Sequence, residues 1–152
     1  MVKLIDGKDH MPEAKALIKE YLERLGRDLS FQSVEAELKD LSAKYSPPEG
    51  ELLMAEENGE ILGMVAYHKL SGKVCEMKRL YVRPENRGRH LGELLVEGIT
   101  AHAAAAGFER MVLDTIRPLE AAVGLYRKLG FTQCEPYYHN PMDDVIYMSK
   151  DL

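Results

Sequence analysis

Apolar positions along the chain change period several times, and each change marks an element. Residues 2–6 alternate as a short strand. Ala14, Leu17, Ile18, Tyr21, Leu22 and Leu25 then recur at helical spacing, with Asp9 placed as N-cap, Pro12 in the first turn and Gly26 at the end. A short connection at 27–30 precedes a second helix, expected from about Phe31 with Val34, Leu38 and Leu41 inward. Ser46-Pro47-Pro48-Glu49-Gly50 breaks the chain. Residues 51–57 and 60–69 read as strands joined by Asn58-Gly59, a pair that tolerates the positive φ a two-residue hairpin requires. A turn at 70–73 leads into Val74–Val82, rich in β-branched and apolar residues and stopped by Pro84. From Leu91 a helix places Leu94, Leu95, Gly98, Ile99 and His102 on one face, and Gly107 closes it. Residues 111–115 form the next strand, parallel to Val74–Val82 through a right-handed crossover because a long helix intervenes. Pro118 opens a helix in which Ala122, Leu125, Tyr126 and Leu129 share a face and Gly130 caps the end. Strands at 131–135 and 145–149 complete the order β-α-α-β-β-β-α-β-α-β-β, one mixed-sheet α/β domain over residues 1–152.

Composition narrows the classes open to such a chain. With 152 residues it can bury a substantial core. No stretch approaches the ~18 apolar residues of a membrane span, and the first ten residues lack the apolar run of a secretory signal. Cys75 and Cys134 show neither metal-ligand spacing nor a disulfide framework; both are expected as small buried hydrophobes, no metal is expected, and the compartment is the cytoplasm. The net charge of −5 argues against nucleic acid as a partner. Within this acidic chain, however, Lys78, Arg79, Arg83, Arg87, Arg89 and His90 fall inside thirteen positions. Such a concentration suits a small polyanion, and the acidic remainder suits an amine co-substrate or simply solubility.

The basic stretch has a local geometry as well as a charge. Arg87-Gly88-Arg89-His90-Leu91-Gly92 lies between a strand and a helix. The first N–H groups of a helix have no internal partner, the macrodipole is positive there, and glycine lets an anion approach. Arginine adds charge-assisted hydrogen bonds. These residues resemble the acetyl-CoA-binding motif of the GNAT N-acetyltransferase superfamily, R/Q-x-x-G-x-G/A, with His90 standing where glycine is usual. Ala122-Val123-Gly124-Leu125-Tyr126-Arg127-Lys128-Leu129-Gly130-Phe131 is similar to the superfamily's A-x-x-L-Y-x-x-x-G-F signature. Leu119 occupies the position where many relatives carry a cofactor-binding asparagine. The element order is also that of the superfamily, so the resemblance covers nearly the whole chain.

The resemblance implies a GNAT-like fold: a twisted, mostly antiparallel sheet of about seven strands flanked by about four helices, with two splayed parallel strands holding acyl-CoA. It implies acetyl-CoA as co-substrate, with pantetheine along Leu80, Tyr81 and Val82 and pyrophosphate on the N–H groups of Arg87, Gly88, Arg89, His90, Leu91 and Gly92. A main-chain N–H near Leu80 would polarise the thioester carbonyl. Tyr126 takes the place of the acid that protonates the leaving thiolate, and the motif around it favours that over a tyrosine merely buried on the stripe of its helix. Glu76 is the candidate base. It is a carboxylate among apolar neighbours, where an unpaired charge is costly, and it precedes Arg87 by the same eleven positions as the strand glutamate of the histone-acetylating branch. An ion pair with Lys78, two positions on, accounts for it equally well. His68, His139 and Tyr137 are fallback bases.

The resemblance also implies that the acceptor, an amine on a small molecule or protein, lies between the connection Arg27–Phe31 and the loop Tyr137–Pro141; in that loop Tyr137, Tyr138, His139 and Asn140 offer aromatic walls and hydrogen bonding between two prolines. The same tyrosines would suit a homodimer contact. A non-catalytic acyl-CoA sensor of the same fold is the alternative to an enzyme. Dinucleotide binding fits poorly, because no G-x-G-x-x-G follows an opening strand.

Overall fold

The computed structural model describes residues 1–27 and 34–152; the expected start of the second helix at Phe31 lies outside them. After β1 (Lys3–Asp6), a short 3-10 turn held by the Asp6 side chain on the Lys8 N–H delays the first helix, α1 (Met11–Leu25). Asp9 is therefore inside that turn, and the N-cap is His10, without a side-chain capping bond. Gly26, at φ 66°, ends α1 in the left-handed conformation expected of it. Instead of one second helix there are two, α2 (Val34–Lys39) and α3 (Leu41–Lys44). Asp40 causes the break: its side chain accepts from the Ala43 N–H and starts a new turn. The described helices thus number five, with α4 and α5 below.

Asn58 and Gly59, at φ 53° and 81°, close β2 (Gly50–Glu57) onto β3 (Glu60–Ser71). Gly72 turns β3 into β4 (Val74–Val82), and α4 (Leu91–Ala105) carries the chain back to β5 (Arg110–Ile116), which pairs parallel to β4. Then follow α5 (Glu120–Lys128), β6 (Thr132–Gln133) and β7 (Val145–Asp151). The sheet order is β1-β2-β3-β4-β5-β7-β6, antiparallel except for β4 with β5. Two expectations shrink. Helix α5 begins at Glu120 rather than Pro118, and the strand at 131–135 is reduced to Thr132–Gln133 at the sheet edge.

Each face of the sheet carries a core. Helix α4 lays Leu91, Leu95, Val96, Ile99 and Ala103 over Val65, Tyr67, Cys75, Met111 and Leu113. On the other face α1 and α3 bring Ala14, Leu17, Ile18 and Leu41 onto Leu52, Met54, Met64 and Tyr81. The stripe of α4 follows the i, i+4 row from Leu91, which leaves Leu94 37% exposed. His102 is also outside it, bonded through Nδ1 to Glu51 at 2.9 Å. Cys75 is buried as expected, whereas Cys134 is only half-buried next to the short edge strand.

Candidate functional site

The site begins with an irregularity in β4. Met64 of β3 faces Tyr81 and Ala66 faces Lys78, so three steps on β4 oppose two on β3. The extra residue is a β-bulge, and Arg79 takes a left-handed φ of 61° there. Gly63 lets the bent strand come close: a Cβ at that position would lie 2.7 Å from the Tyr81 carbonyl oxygen. Beneath the bulge, Arg79 donates to Glu37 from Nε (2.8 Å) and Nη2 (3.1 Å), and Lys44 adds a bond at 3.1 Å. Burial alone would raise the pKa of Glu37, but the Arg79 hydrogen bonds and charge outweigh it and hold the carboxyl down at about 2.

Past Glu76, before the bulge is reached, β4 and β5 part. They pair at Val74↔Arg110, Cys75↔Met111 and Glu76↔Val112, then continue to Val82 and Ile116 on either side of a cleft of about 1090 Å³. Leu80, Tyr81 and Val82 line one wall, and Asp114 and Thr115 the other. Arg87, Gly88, His90, Leu91 and Gly92 close one end, and Tyr126 faces the cleft from α5. Gly88 adopts φ 84°, where among the described residues nothing lies within 4 Å of the place a Cβ would take, and His90 adopts φ 60° at the N-cap of α4. The His90 side chain makes no capping bond, so among the described residues the first-turn N–H groups of the helix stay available. The His90 side chain is 83% exposed, which reconciles its bulk with a position usually held by glycine. Arg89 is oriented differently. It pairs with Glu57 at 2.8 Å and Asn86 at 3.4 Å, outside the cleft lining.

Tyr126 is 7% exposed and packs edge-to-face on Phe131, with centroids 5.8 Å apart. Burial raises its pKa, and the charge of Asp114 raises it further. The phenol therefore stays protonated across the physiological range. Glu76 is 6% exposed and is not among the residues lining the cleft, which on β4 begin one position on, at Met77. His68 Nε2 is 2.7 Å from its Oε1, and the Tyr137 hydroxyl donates to its Oε2 at 2.5 Å. Burial pushes the Glu76 pKa up, yet the His68 bond, the Lys78 charge and the Tyr137 bond together bring it below the usual value. Lys78 is thus one of three groups that balance Glu76. The second nitrogen of His68 faces the Lys69 carbonyl at 3.0 Å.

The tyrosine loop is folded onto the same place. Tyr138 donates its hydroxyl to Asp114 Oδ2, Asn140 Nδ2 reaches that oxygen at 3.2 Å, and Tyr147 donates to the Tyr138 carbonyl at 2.9 Å. The rings of Tyr137, Tyr138 and Tyr147 lie 5.3–5.7 Å apart. His139 is exposed, and Phe31 is outside the described residues. Arg27 ties the loop to the end of α1 through two bonds to Asp144 at 2.9 Å each. Sequence reasoning passed over Asp114 and Glu37. A lone acid inside the apolar run Met111–Ile116 was the available signal for the first, whereas Glu37 has the look of a solvated helix position.

Comparison with known proteins agrees with this architecture. Residues 14–131 match the acetyltransferase (GNAT) family. An N-acetyltransferase of Schizosaccharomyces pombe is 49% identical over 144 residues, covering 93% of this chain and 88% of that protein. A GNAT-family acetyltransferase from Staphylococcus aureus shares the fold, with a TM-score of 0.82 at 17% identity over 99% of both chains. So does a GNAT acetyltransferase from Elizabethkingia anophelis with acetyl-CoA bound, with a TM-score of 0.72 at 19% identity over 99% of this chain and 98% of that one. The family match spans the parted strands, the uncapped helix and the tyrosine helix, and on that footing the chain belongs to the GNAT family of acetyltransferases.

Proposed function

We propose that this chain, with residues 1–152 acting as a single catalytic domain, is an acetyl-CoA-dependent N-acetyltransferase that acetylates a primary amine of a small molecule or protein by direct attack on the thioester. The observation that carries this is the convergence, in one cleft, of the exposed edge of β4, the uncapped start of α4 and Tyr126. The S. pombe relative is named an N-acetyltransferase, and the E. anophelis neighbour holds acetyl-CoA. A cytoplasmic setting belongs to the same proposal; among the described residues no helix is long and apolar enough to cross a membrane.

The residues present fit acetyl-CoA. Backbone N–H groups from Gly88 to Gly92 offer donors to a diphosphate, and Arg87 supplies a positive charge beside them. Glu93 in the first turn is unfavourable to phosphate, but Lys128 pairs with it at 3.1 Å and offsets its charge. When bound, acetyl-CoA supplies the activated acyl group. The main chain near Leu80 then polarises the thioester carbonyl, and Tyr126 donates to the departing sulfur. Glu76 takes up the amine proton through Tyr137, whose hydroxyl already donates to it. His139 and Asn140 complete the acceptor side of the loop.

Two substitutions test these roles. Arg87→Ala is expected to weaken acetyl-CoA binding about tenfold at low salt and less at 0.5 M, where screening shortens the reach of the guanidinium. Equal affinity at low salt would remove Arg87 from the phosphate site. Glu76→Gln is expected to move the rise of the pH–rate profile upward, toward the range where an amine of pKa ~10 loses its proton unaided. A profile identical to wild type would leave Glu76 a purely structural partner of His68 and Tyr137. The activity itself is read as CoA thiol released with a panel of primary amines. Binding of acetyl-CoA without release above hydrolysis would favour the sensor alternative.

A further inference from the structure

Asp114 is the cleft-lining carboxylate on β5, and the roles above leave it without a task. It faces Tyr147 across the β5–β7 ladder, at the wall opposite the bulge. Its Oδ2 is fixed from two sides, by the Tyr138 hydroxyl and by Asn140 Nδ2 at 3.2 Å. Those donors are themselves held. Asn140 Nδ2 also reaches the Tyr138 hydroxyl oxygen at 2.9 Å, and its Oδ1 accepts the Met142 N–H at 2.9 Å. Among the described residues no hydrogen bond is donated to the other carboxylate oxygen, Oδ1. The charge is felt by Tyr21, Lys78 and Tyr126, which line the same cleft.

A carboxylate locked through one oxygen at the edge of a cleft presents the other in a fixed direction, at little further entropic cost. Its complement is a compact cation with N–H donors. A primary amine reaches any protein at neutral pH as an ammonium ion. We propose that Asp114 receives the ammonium group of the acceptor beside Tyr126, with Tyr138 and Asn140 as positioning residues that aim its carboxylate. The acceptor class is thereby a cationic primary amine rather than an alcohol, thiol or neutral arylamine. This rests on the acetyl-transfer reading, yet it concerns recognition alone and is tested without turnover.

The test uses benzylamine and its neutral counterpart benzyl alcohol as probes. Both are titrated into the full chain by NMR at neutral pH, with acetyl-CoA affinity measured on the same samples. Wild type is expected to bind benzylammonium at least tenfold more tightly than the alcohol. Asp114→Asn, which keeps the shape and an acceptor for Tyr138, is expected to abolish that preference while acetyl-CoA affinity stays within twofold. Tyr138→Phe leaves the charge and removes one of its supports, so it is expected to lower the preference by about two- to fivefold. A preference retained in Asp114→Asn, or missing from wild type, overturns the inference. Absence of acetyl-CoA binding in wild type is a separate failure, that of the acetyltransferase reading.

Discussion

Tyr126→Phe is expected to lower turnover by about a hundredfold or more while acetyl-CoA affinity changes by less than twofold. The hydroxyl is the only group removed, and the ring keeps its contact with Phe131 and its place in the wall of the cleft. The direction of the Tyr126 pKa defines what the hydroxyl can do. Burial, then the charge of Asp114, makes the phenolate costlier, so the proton is present at every working pH. A thiol titrates near ~8.5, below any such phenol, so outright transfer to the sulfur is uphill. The contribution of Tyr126 is a hydrogen bond that strengthens as negative charge builds on sulfur in a site poor in water. The loss on substitution should accordingly be constant between pH 6 and pH 9. An unchanged rate of CoA thiol release in Tyr126→Phe would remove this residue as the donor to the leaving sulfur.

Glu37→Gln is expected to have the largest effect on stability. Glu37 and Arg79 have side chains 2% and 4% exposed, and breaking such a pair leaves a buried guanidinium without its counter-charge. The expected cost is about 3–5 kcal/mol, or a fall in Tm of about 10 °C for a chain of this size. Because Arg79 forms the bulge from which Leu80–Val82 diverge, acetyl-CoA affinity should fall with it. The pH dependence follows from the depressed pKa. A carboxyl held at about 2 when folded, against ~4.3 when unfolded, contributes stability that is fully present above the unfolded value and is lost as pH falls through that range toward 2. Wild type should therefore lose more stability than Glu37→Gln between pH 5 and pH 2.5, as read by thermal melts. Equal slopes would mean that the pair carries no net coupling to folding.

These two residues also mark what the amino-acid order can reveal. Tyr126 was legible because a six-residue pattern joins it to Gly130 and Phe131 on one helix end. The hairpin at Asn58-Gly59 and the turn from Arg87 to Gly92 were equally so, since local backbone demands select those residues. Glu37 and Arg79 were not. Forty-two positions separate them, and each alone has the composition of a solvated face. The bulge is invisible to a period-2 reading, which counts Arg79 as one more alternating residue although its φ of 61° places it outside the pleat. The division of the second helix at Asp40 was missed because Leu38 and Leu41 keep helical spacing across the break. Tyr137 and Tyr138 were noticed for their composition, but sequence could not say that adjacent side chains would grip carboxylates on the two parting strands, Glu76 on β4 and Asp114 on β5.

A crystal structure of the chain grown with acetyl-CoA tests the account most directly. The expected result is the diphosphate seated on the N–H groups between Gly88 and Gly92, with the thioester lying between Leu80 and Tyr126. Acetyl-CoA bound with its diphosphate elsewhere, or no binding at concentrations that saturate a solution titration of a working acetyltransferase, would contradict it.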